Sequence, residues 1–234
     1  MNKNENKTFM YDISICIISH DNNDDLLNCL DSIYEQEKEK INFQIVIIDN
    51  VCYESVESFL IQHKREYKNL RIIRNKNRHN YAYNNNIAIN QSSAKYILIL
   101  NPDIIFIEPT FEILFKYMET NSKVGIVSSK LVYPNGEFQF NVRRFPNIRY
   151  VINSRMYSLG LIPFNKILKD YYMANDFTNE VKEVDYVIGA FMFIRSSVLN
   201  KVGLFDERFK YYGEDTDLCY RIKKSGWNIH FIQN

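Results

Sequence analysis

The sequence predicts an α/β fold in which a mostly parallel sheet is flanked by helices. Short apolar runs rich in Ile, Val and Leu alternate with segments whose apolar residues recur at helical spacing. Runs of this composition are typical of strands that are buried on both faces, and the alternation favours parallel strands joined by right-handed helical crossovers. With 234 residues, the chain is long enough for one such domain with a sizeable core.

The first half of the chain shows the alternation most clearly. A polar tail, residues 1–9, is expected to be disordered, and DISICIIS then predicts a strand. The next segment predicts a helix, because Asp24 and Asp25 favour its positive N-terminal end and its leucines form a helical stripe. The elements that follow are a strand FQIVIID, a helix SVESFLIQHKREY, a strand LRIIR, a helix around YNNNIAINQS and a strand KYILIL.

The second half is less regular. PNG predicts a turn between two strand-like runs in VGIVSSKLVYPNGEFQF, and the basic and aromatic segment 143–176 fits either a flexible loop or a helical flap. The remaining chain predicts a strand, a short helix, a loop, a helix and a final strand.

Composition limits the classes of function. Lys and Arg total 29 against 28 for Asp and Glu, so the net charge of +1 gives no electrostatic reason to expect a nucleic-acid partner. The four cysteines form no CxxC pair, which argues against a zinc site and a disulfide framework and favours a reducing cytoplasm. Without a long apolar run or a signal peptide, the chain is expected to be cytoplasmic and at most peripheral to the inner face of the membrane.

Polar residues follow three of the predicted strands at the point where each strand ends. Because ligands of such sheets bind at the carboxyl ends of the strands, these residues are candidates for a site. Each group alone is also explained as a turn signal. The three groups are Ser19, His20 and Asp21; Asp49 and Asn50; and Asn101, Pro102 and Asp103.

The segment GEDTDLCYRIKKSG predicts a helix that ends before Gly226. On that helix Asp215 shares a face with Leu218 and Cys219, so its carboxylate points inward, where desolvation would make it a better proton acceptor. Asp217 instead faces Arg221 as a surface ion pair. The alternative is that Glu214 and Asp215 only cap the helix.

Asp103 is a candidate ligand for a hard divalent cation, Mn²⁺ or Mg²⁺. Such cations prefer oxygen ligands, and they neutralise the charge of a diphosphate leaving group. Pro102 fixes the backbone beside this carboxylate. A plain turn remains the alternative for the tripeptide.

Seven stretches together resemble family 2 glycosyltransferases, and more narrowly the rhamnosyltransferase-like branch that builds bacterial surface polysaccharides. The resemblance covers residues 13–227 and implies a single GT-A domain over 10–234, with a nucleotide-binding half at about 10–104 and a smaller acceptor-side half at about 105–234. The stretches are IISHDNNDDLLNCLDSI, FQIVIIDN, NYAYNNNIA, ILILNPD, GEFQFNVRRFP, VIGAFMFIR and VGLFDERFKYYGEDTDLCYR.

The resemblance also implies roles for individual residues. Asp215 would be the catalytic base, and Asp103 would hold the divalent cation. The sugar and acceptor would lie beside Gly189, Ala190 and Glu214. The nucleotide would be bound by Ser19, His20, Asp21, Asp49, Asn80, Asn85 and Asn101, where Asp49 faces the base, Asn101 lies near the ribose and the loop 80–86 closes over the diphosphate.

Two departures from the family pattern carry expectations of their own. Asn80 stands where relatives usually have glycine. Asparagine tolerates a left-handed backbone better than most residues but at some cost, so a less close approach of the backbone to the phosphate is expected. Relatives also continue to a histidine that completes the metal shell, whereas this sequence stops at Asn234. Three explanations are open: this metal ligand is absent, the sequence is shortened, or His230 takes its place. A lone histidine in a strand is more often only packed against its neighbours, which makes the third explanation the weakest.

The resemblance implies an inverting transferase that moves a sugar from a nucleoside diphosphate, with dTDP-rhamnose favoured, to a glycan or lipid-linked acceptor. The basic and aromatic segment 143–172 is the candidate acceptor surface, with a loop of solvated charges as the alternative. A catalytically silent nucleotide-sugar-binding or assembly subunit is the second hypothesis. A nucleotidyltransferase is the third, although SHDNNDD lacks the glycines of its phosphate loop. The oligomeric state is left open.

Overall fold

The computed structural model describes residues 9–35, 41–174 and 181–233. The predicted tail, residues 1–9, lies outside the described residues except for Phe9. Within the described ranges the helices are α1 (Asn23–Glu35), α2 (Val56–Gln62), α3 (Tyr81–Asn90), α4 (Phe111–Thr120), α5 (Ile148–Ser158), α6 (Lys166–Tyr171), α7 (Ser196–Val202) and α8 (Glu214–Lys224). The strands are β1 (Tyr11–Ser19), β2 (Phe43–Asp49), β3 (Leu70–Arg74), β4 (Ala94–Leu100), β5 (Val124–Ser129), β6 (Leu131–Val132), β7 (Phe138–Gln139), β8 (Val142–Arg143), β9 (Lys182–Glu183), β10 (Tyr186–Val187), β11 (Phe191–Arg195) and β12 (Asn228–Ile232).

The central sheet has the strand order β3-β2-β1-β4-β11-β5-β12-β9. β1 pairs in parallel with β2 and with β4, so the predicted mostly parallel sheet is confirmed. β11 runs antiparallel between β4 and β5. The start of β11 therefore lies at the same edge of the sheet as the carboxyl ends of β1, β2 and β4, which is where the functional residues were predicted.

The apolar core lies on both faces of this sheet. Successive side chains of β4 point to opposite faces, and Leu98 belongs to the cluster that contains Leu30 of α1, whereas Ile99 belongs to the cluster that contains Leu218 of α8. Both β4 side chains are fully buried. The helices on the two faces thus share the central strands.

Three local predictions needed correction or completion. The helix predicted through Tyr67 ends at Gln62, because Lys64 adopts a left-handed backbone with φ of 52°. α4 was not predicted. In segment 143–176 the helical alternative is present as α5 and α6, and residues 175 and 176 lie outside the described part.

All four cysteines are buried thiols without a disulfide. Burial raises the pKa of Cys16 to about 12 and also raises the pKa values of Cys29, Cys52 and Cys219. Among the helices that the structure describes, none combines the length and apolar character needed to cross a bilayer.

Candidate active site

The candidate site lies at the carboxyl edge of the central sheet. Ser19, the last residue of β1, pairs with Asp49 at the end of β2, and Ile17 pairs with Leu100 at the end of β4. This register brings all three polar groups predicted from the strand ends to one edge of the sheet.

Asp215 points toward this edge from the first turn of α8. Its Oδ2 accepts a hydrogen bond from the backbone N–H of Gly189 at 3.1 Å, and its Oδ1 accepts one from the N–H of Thr216 at 2.6 Å. Leu218 and Cys219, on the same helical face, are fully buried, so the predicted inward direction of this carboxylate is present. Asp217 makes the predicted ion pair with Arg221, at 2.7 Å.

Gly189 is held between Asp215 and the partly buried Tyr81. The Tyr81 hydroxyl donates a 2.6 Å hydrogen bond to the Gly189 carbonyl oxygen. A Cβ atom at position 189 would lie 2.8 Å from the Tyr81 oxygen, so only glycine fits here without displacement. Tyr81 was not singled out from the sequence, since an aromatic residue at a helix start resembles ordinary core.

The segment 189–190 connects Asp215 with the NPD tripeptide. Ala190, next to Gly189, accepts a 2.9 Å hydrogen bond through its carbonyl from the N–H of Asn101. Asp103 is two residues further, in a turn after β4, with an exposed side chain. Asn101 and Asp215 thus contact adjacent residues of one short backbone segment, and Asp103 follows Asn101 by two positions.

Asp103 offers the hard oxygen donor that Mn²⁺ or Mg²⁺ prefers. In residues 9–35, 41–174 and 181–233, no three His, Cys, Asp or Glu side chains are grouped as a metal cage. Asp103 can supply one carboxylate ligand of such a cation.

His230 is packed within the sheet. It lies in the middle of β12, its ring is half-buried, and its Nδ1 is 2.6 Å from the Tyr117 hydroxyl. Desolvation lowers its pKa. These contacts fit the expectation of a packed strand histidine better than that of a substitute metal ligand.

Glu214, next to Asp215, is a buried carboxyl group with 7% of its surface exposed. Its Oε2 has no hydrogen-bond partner among the described residues. Desolvation raises its pKa, and the neighbouring charge of Asp215 adds to this effect. Glu214 therefore takes up a proton more readily than an ordinary glutamate.

Asp49 is fully buried and already has three hydrogen-bond donors. Its oxygens accept from the N–H groups of Cys52 at 2.8 Å and Val56 at 3.1 Å, and from Arg74 at 2.8 Å. These bonds fix the loop after β2, in which Val51 adopts a left-handed backbone that is rare for a β-branched residue. The base-facing role of Asp49 stays a prediction.

Arg78 is a cationic residue that the sequence reasoning missed. Its guanidinium lies 2.6 Å from Asp21 Oδ2 and 3.2 Å from His20 Nε2, beside the buried Ser19. The pKa of Asp21 is lowered, first by the Tyr53 N–H and then by Arg78. The signal in the sequence was the basic run NKNRHN, which ends at the N-cap of α3. The predicted loop 80–86 is itself the cap and first turns of this helix.

Asn80 has an extended backbone, so the cost of a left-handed conformation considered for this position does not arise. Its φ of −72° and ψ of 169° are extended, because it caps α3 by accepting a hydrogen bond from the N–H of Tyr83. Its side-chain nitrogen donates to the carbonyls of Glu207 and Phe209, both at 2.9 Å. Asparagine therefore joins α3 to the loop that leads into α8.

Asn85 lies on the same face of α3 as Tyr81. It is 1% exposed, and its nitrogen donates to the Tyr81 carbonyl at 3.1 Å, whereas its oxygen has no partner in the described part of the chain. The structure thus places Asn85 beneath the Tyr81–Gly189 contact, and its predicted nucleotide contact stays a prediction.

The strand order and the helices on both faces of the sheet define the GT-A class of α/β proteins. The chain belongs to the family described as glycosyl transferase family 2, whose model matches residues 14–203. The predicted family and the general class, a glycosyltransferase, are thereby confirmed. Glu214 and Asp215 lie beyond the matched residues.

Relatives agree with the rhamnosyltransferase-like branch. Rhamnosyltransferase WbbL of Escherichia coli is 28% identical, over 94% of this chain and 80% of that protein. N-acetylglucosaminyl-diphospho-decaprenol L-rhamnosyltransferase of Mycobacterium tuberculosis is 23% identical, over 56% of this chain and 42% of that protein. The chain therefore spans less than half of the second relative.

Among solved structures, the fold is similar to that of the mannosyltransferase PcManGT from Pyrobaculum calidifontis, whose structure contains GDP-Man and Mn²⁺. The TM-score is 0.64 at 15% identity, over 97% of this chain and 56% of that chain. At this identity the likeness shows the shared fold alone.

Proposed function

We propose that this chain is an inverting glycosyltransferase that moves a sugar from a nucleoside diphosphate to a hydroxyl group of a glycan or lipid-linked acceptor. The observation that carries this proposal is the convergence of Asp215 and the NPD tripeptide on the segment 189–190. The proposed base contacts this segment at Gly189, and the tripeptide that contains the proposed cation ligand contacts it at Ala190, which supports a displacement that uses both.

In the proposed reaction, Asp215 takes the proton of the acceptor hydroxyl as its oxygen attacks the anomeric carbon. The new carbon–oxygen bond forms on the face opposite the diphosphate, the bond to the diphosphate oxygen breaks, and its electron pair leaves with the diphosphate. The single displacement inverts the anomeric centre. The Gly189 N–H orients the Asp215 carboxylate throughout.

Asp103 would hold the divalent cation, which when bound neutralises charge on the departing diphosphate. Arg78 is a cationic side chain that contacts the predicted nucleotide residues His20 and Asp21. When the nucleotide binds, its guanidinium can leave the Asp21 carboxylate and pair with a phosphate oxygen. The names of the relatives support rhamnose as the transferred sugar and a polyprenyl-diphosphate-linked glycan as the acceptor. The choice of dTDP as the nucleotide rests on the family resemblance alone.

Nucleotide binding tests the donor half of the site. Saturating dTDP with Mn²⁺ should stabilise the full chain, by about 2.7 kcal/mol at a hundredfold excess over Kd, which raises the Tm by roughly 5–10 °C. Asp103→Ala should remove the part that depends on Mn²⁺, whereas Glu108→Ala, an exposed carboxylate on the same segment, should not. An equal Mn²⁺ effect in wild type and Asp103→Ala would exclude Asp103 as the ligand.

Turnover tests the acceptor half. Asp215→Asn keeps an oxygen for the Gly189 N–H but cannot take the proton, so sugar transfer should fall about 10²–10⁴-fold with nucleotide binding retained. Asp217→Asn, on the same helix, is the matched control and should retain most of the activity. Comparable turnover in Asp215→Asn and wild type would remove Asp215 from the role of base. A wild-type chain that binds nucleotide but transfers no sugar would favour the silent-subunit hypothesis.

A further inference from the structure

The strongest unexplained feature outside the site is the outward surface of α5. Five apolar side chains, at helical spacing, point away from the protein with 37–73% of their surface exposed. They are Ile148, Val151, Ile152, Met156 and Leu159, the last of which directly follows the helix, and together they are called the α5 apolar face.

The inward surface of α5 carries the polar and aromatic residues instead. Tyr150 stacks on Tyr171 with ring centroids 5.1 Å apart, and Asn153 accepts a 2.9 Å hydrogen bond from Asn165 of the α6 N-terminus. The apolar side chains of α5 thus lie on its outward side, away from its contacts with α6. A group of neighbouring exposed apolar side chains is a candidate interaction site.

Positive charge surrounds the α5 apolar face. Residues 141–174 contain six Arg and Lys residues and one acidic residue, although the whole chain is nearly neutral. Arg155 lies within the face, and Arg149 lines a crevice with Lys166 and Lys169 beside it. An apolar stripe bordered by Arg and Lys is the pattern of a helix that lies in the interface of an anionic bilayer.

We propose that the α5 apolar face docks on the surface of an anionic lipid bilayer. The apolar side chains would enter the boundary between headgroups and acyl chains, and the flanking basic side chains would meet lipid phosphates. β8, which leads into α5, pairs with β10, which precedes Gly189, so the docked face is connected to the acceptor side of the site. Docking itself does not depend on the proposed transfer.

Co-sedimentation with vesicles tests this proposal on the full chain. Wild type should bind vesicles of phosphatidylethanolamine and phosphatidylglycerol, bind phosphatidylcholine vesicles more weakly, and lose affinity as salt is raised. Val151→Ser/Ile152→Ser, and separately Arg149→Glu/Arg155→Glu, should lower the partition coefficient by about tenfold or more. Ile61→Ser, an apolar residue of α2 with 69% exposure, is the matched control and should bind like wild type.

All variants change exposed residues, and circular dichroism and the Tm should confirm that each is folded. The proposal fails if wild type does not bind the anionic vesicles, or if both double variants bind as well as wild type. It also fails if light scattering shows a wild-type dimer that Val151→Ser/Ile152→Ser dissociates without any change in vesicle binding, since the face would then join two copies. Nucleotide-induced stabilisation, measured on the same samples, reports separately on the proposed transferase.

Discussion

Gly189 shows how one missing side chain shapes the site. Its carbonyl accepts from Tyr81 and its N–H donates to Asp215, so it joins a buried hydroxyl to the proposed base. This glycine was singled out through the family resemblance only. The close approach of Tyr81 could not be predicted, since it joins residues that are 108 positions apart.

Gly189→Ala should destabilise the protein by about 1–3 kcal/mol, because the new Cβ overlaps the Tyr81 hydroxyl. Urea unfolding measures this change. The double variant Gly189→Ala/Tyr81→Phe, which removes the clashing oxygen, should recover part of the loss relative to the sum of the single variants. Strict additivity of the two single changes would show that the overlap is relieved in another way.

Glu214 predicts a pH dependence of stability. The folded pKa is raised above the ordinary value of 4.5, so the folded protein keeps this proton at pH values where the unfolded chain has lost it. The contribution of Glu214 to stability is therefore complete below pH 4.5 and is lost as the pH rises through the folded pKa.

Glu214→Gln cannot ionise and should therefore show a smaller decrease of Tm between pH 4.5 and neutral pH than wild type. Thermal unfolding across this pH range measures the effect. Glu66→Gln, at an exposed loop position, is the control and should follow wild type. Parallel Tm curves for wild type and Glu214→Gln would contradict the assignment.

At the scale of elements, α3 positions the loop that leads into α8. Besides Asn80, Asn86 bonds this loop through the backbone N–H and carbonyl of Phe205, at 3.0 and 2.9 Å, and the Glu207 carboxylate at 2.8 Å. The helix itself was predicted from its apolar residues, but its docking partner was not. A run of asparagines gives no local signal of which distant backbone its amides will meet.

The Asn80→Asp variant distinguishes two roles of Asn80, which caps α3 and also bonds to the loop that leads into α8. The carboxylate can still cap α3, but it faces the carbonyls of Glu207 and Phe209 without a donor, so a loss of about 1–3 kcal/mol and a lower turnover are expected. Asn147→Asp is the matched control, because Asn147 caps α5 with the same bond to the residue three positions on. An equally stable Asn80→Asp variant would show that the cap alone matters.

At the scale of the whole molecule, the alternation of strands and helices predicted the parallel part of the sheet but not β11. Parallel strands were predictable because each carries its own buried β-branched run, whereas the antiparallel insertion of β11 between β4 and β5 depends on long-range pairing. α5 was left between a loop and a helical flap because basic and aromatic residues interrupt the apolar pattern of segment 143–176.

Because β4 contributes side chains to the apolar clusters on both faces of the sheet, the protein is expected to unfold as a single cooperative unit. Leu98→Ala and Ile99→Ala remove buried side chains on opposite faces of β4, and each should cost about 2–5 kcal/mol. In both variants, urea transitions followed by circular dichroism and by fluorescence of the single tryptophan, Trp227, should coincide. Separate transitions in either variant would contradict the predicted single domain.

The four buried thiols have a practical consequence. Reaction with an alkylating or disulfide reagent needs an accessible thiolate. The folded protein buries all four thiols and raises their pKa values, so they are neither accessible nor readily ionised. These thiols belong to Cys16, Cys29, Cys52 and Cys219. The intact molecule should therefore resist such reagents, and the rate of labelling should follow the rate at which the chain opens. Labelling of the native cysteines can therefore be used to measure unfolding, and no other label needs to be introduced.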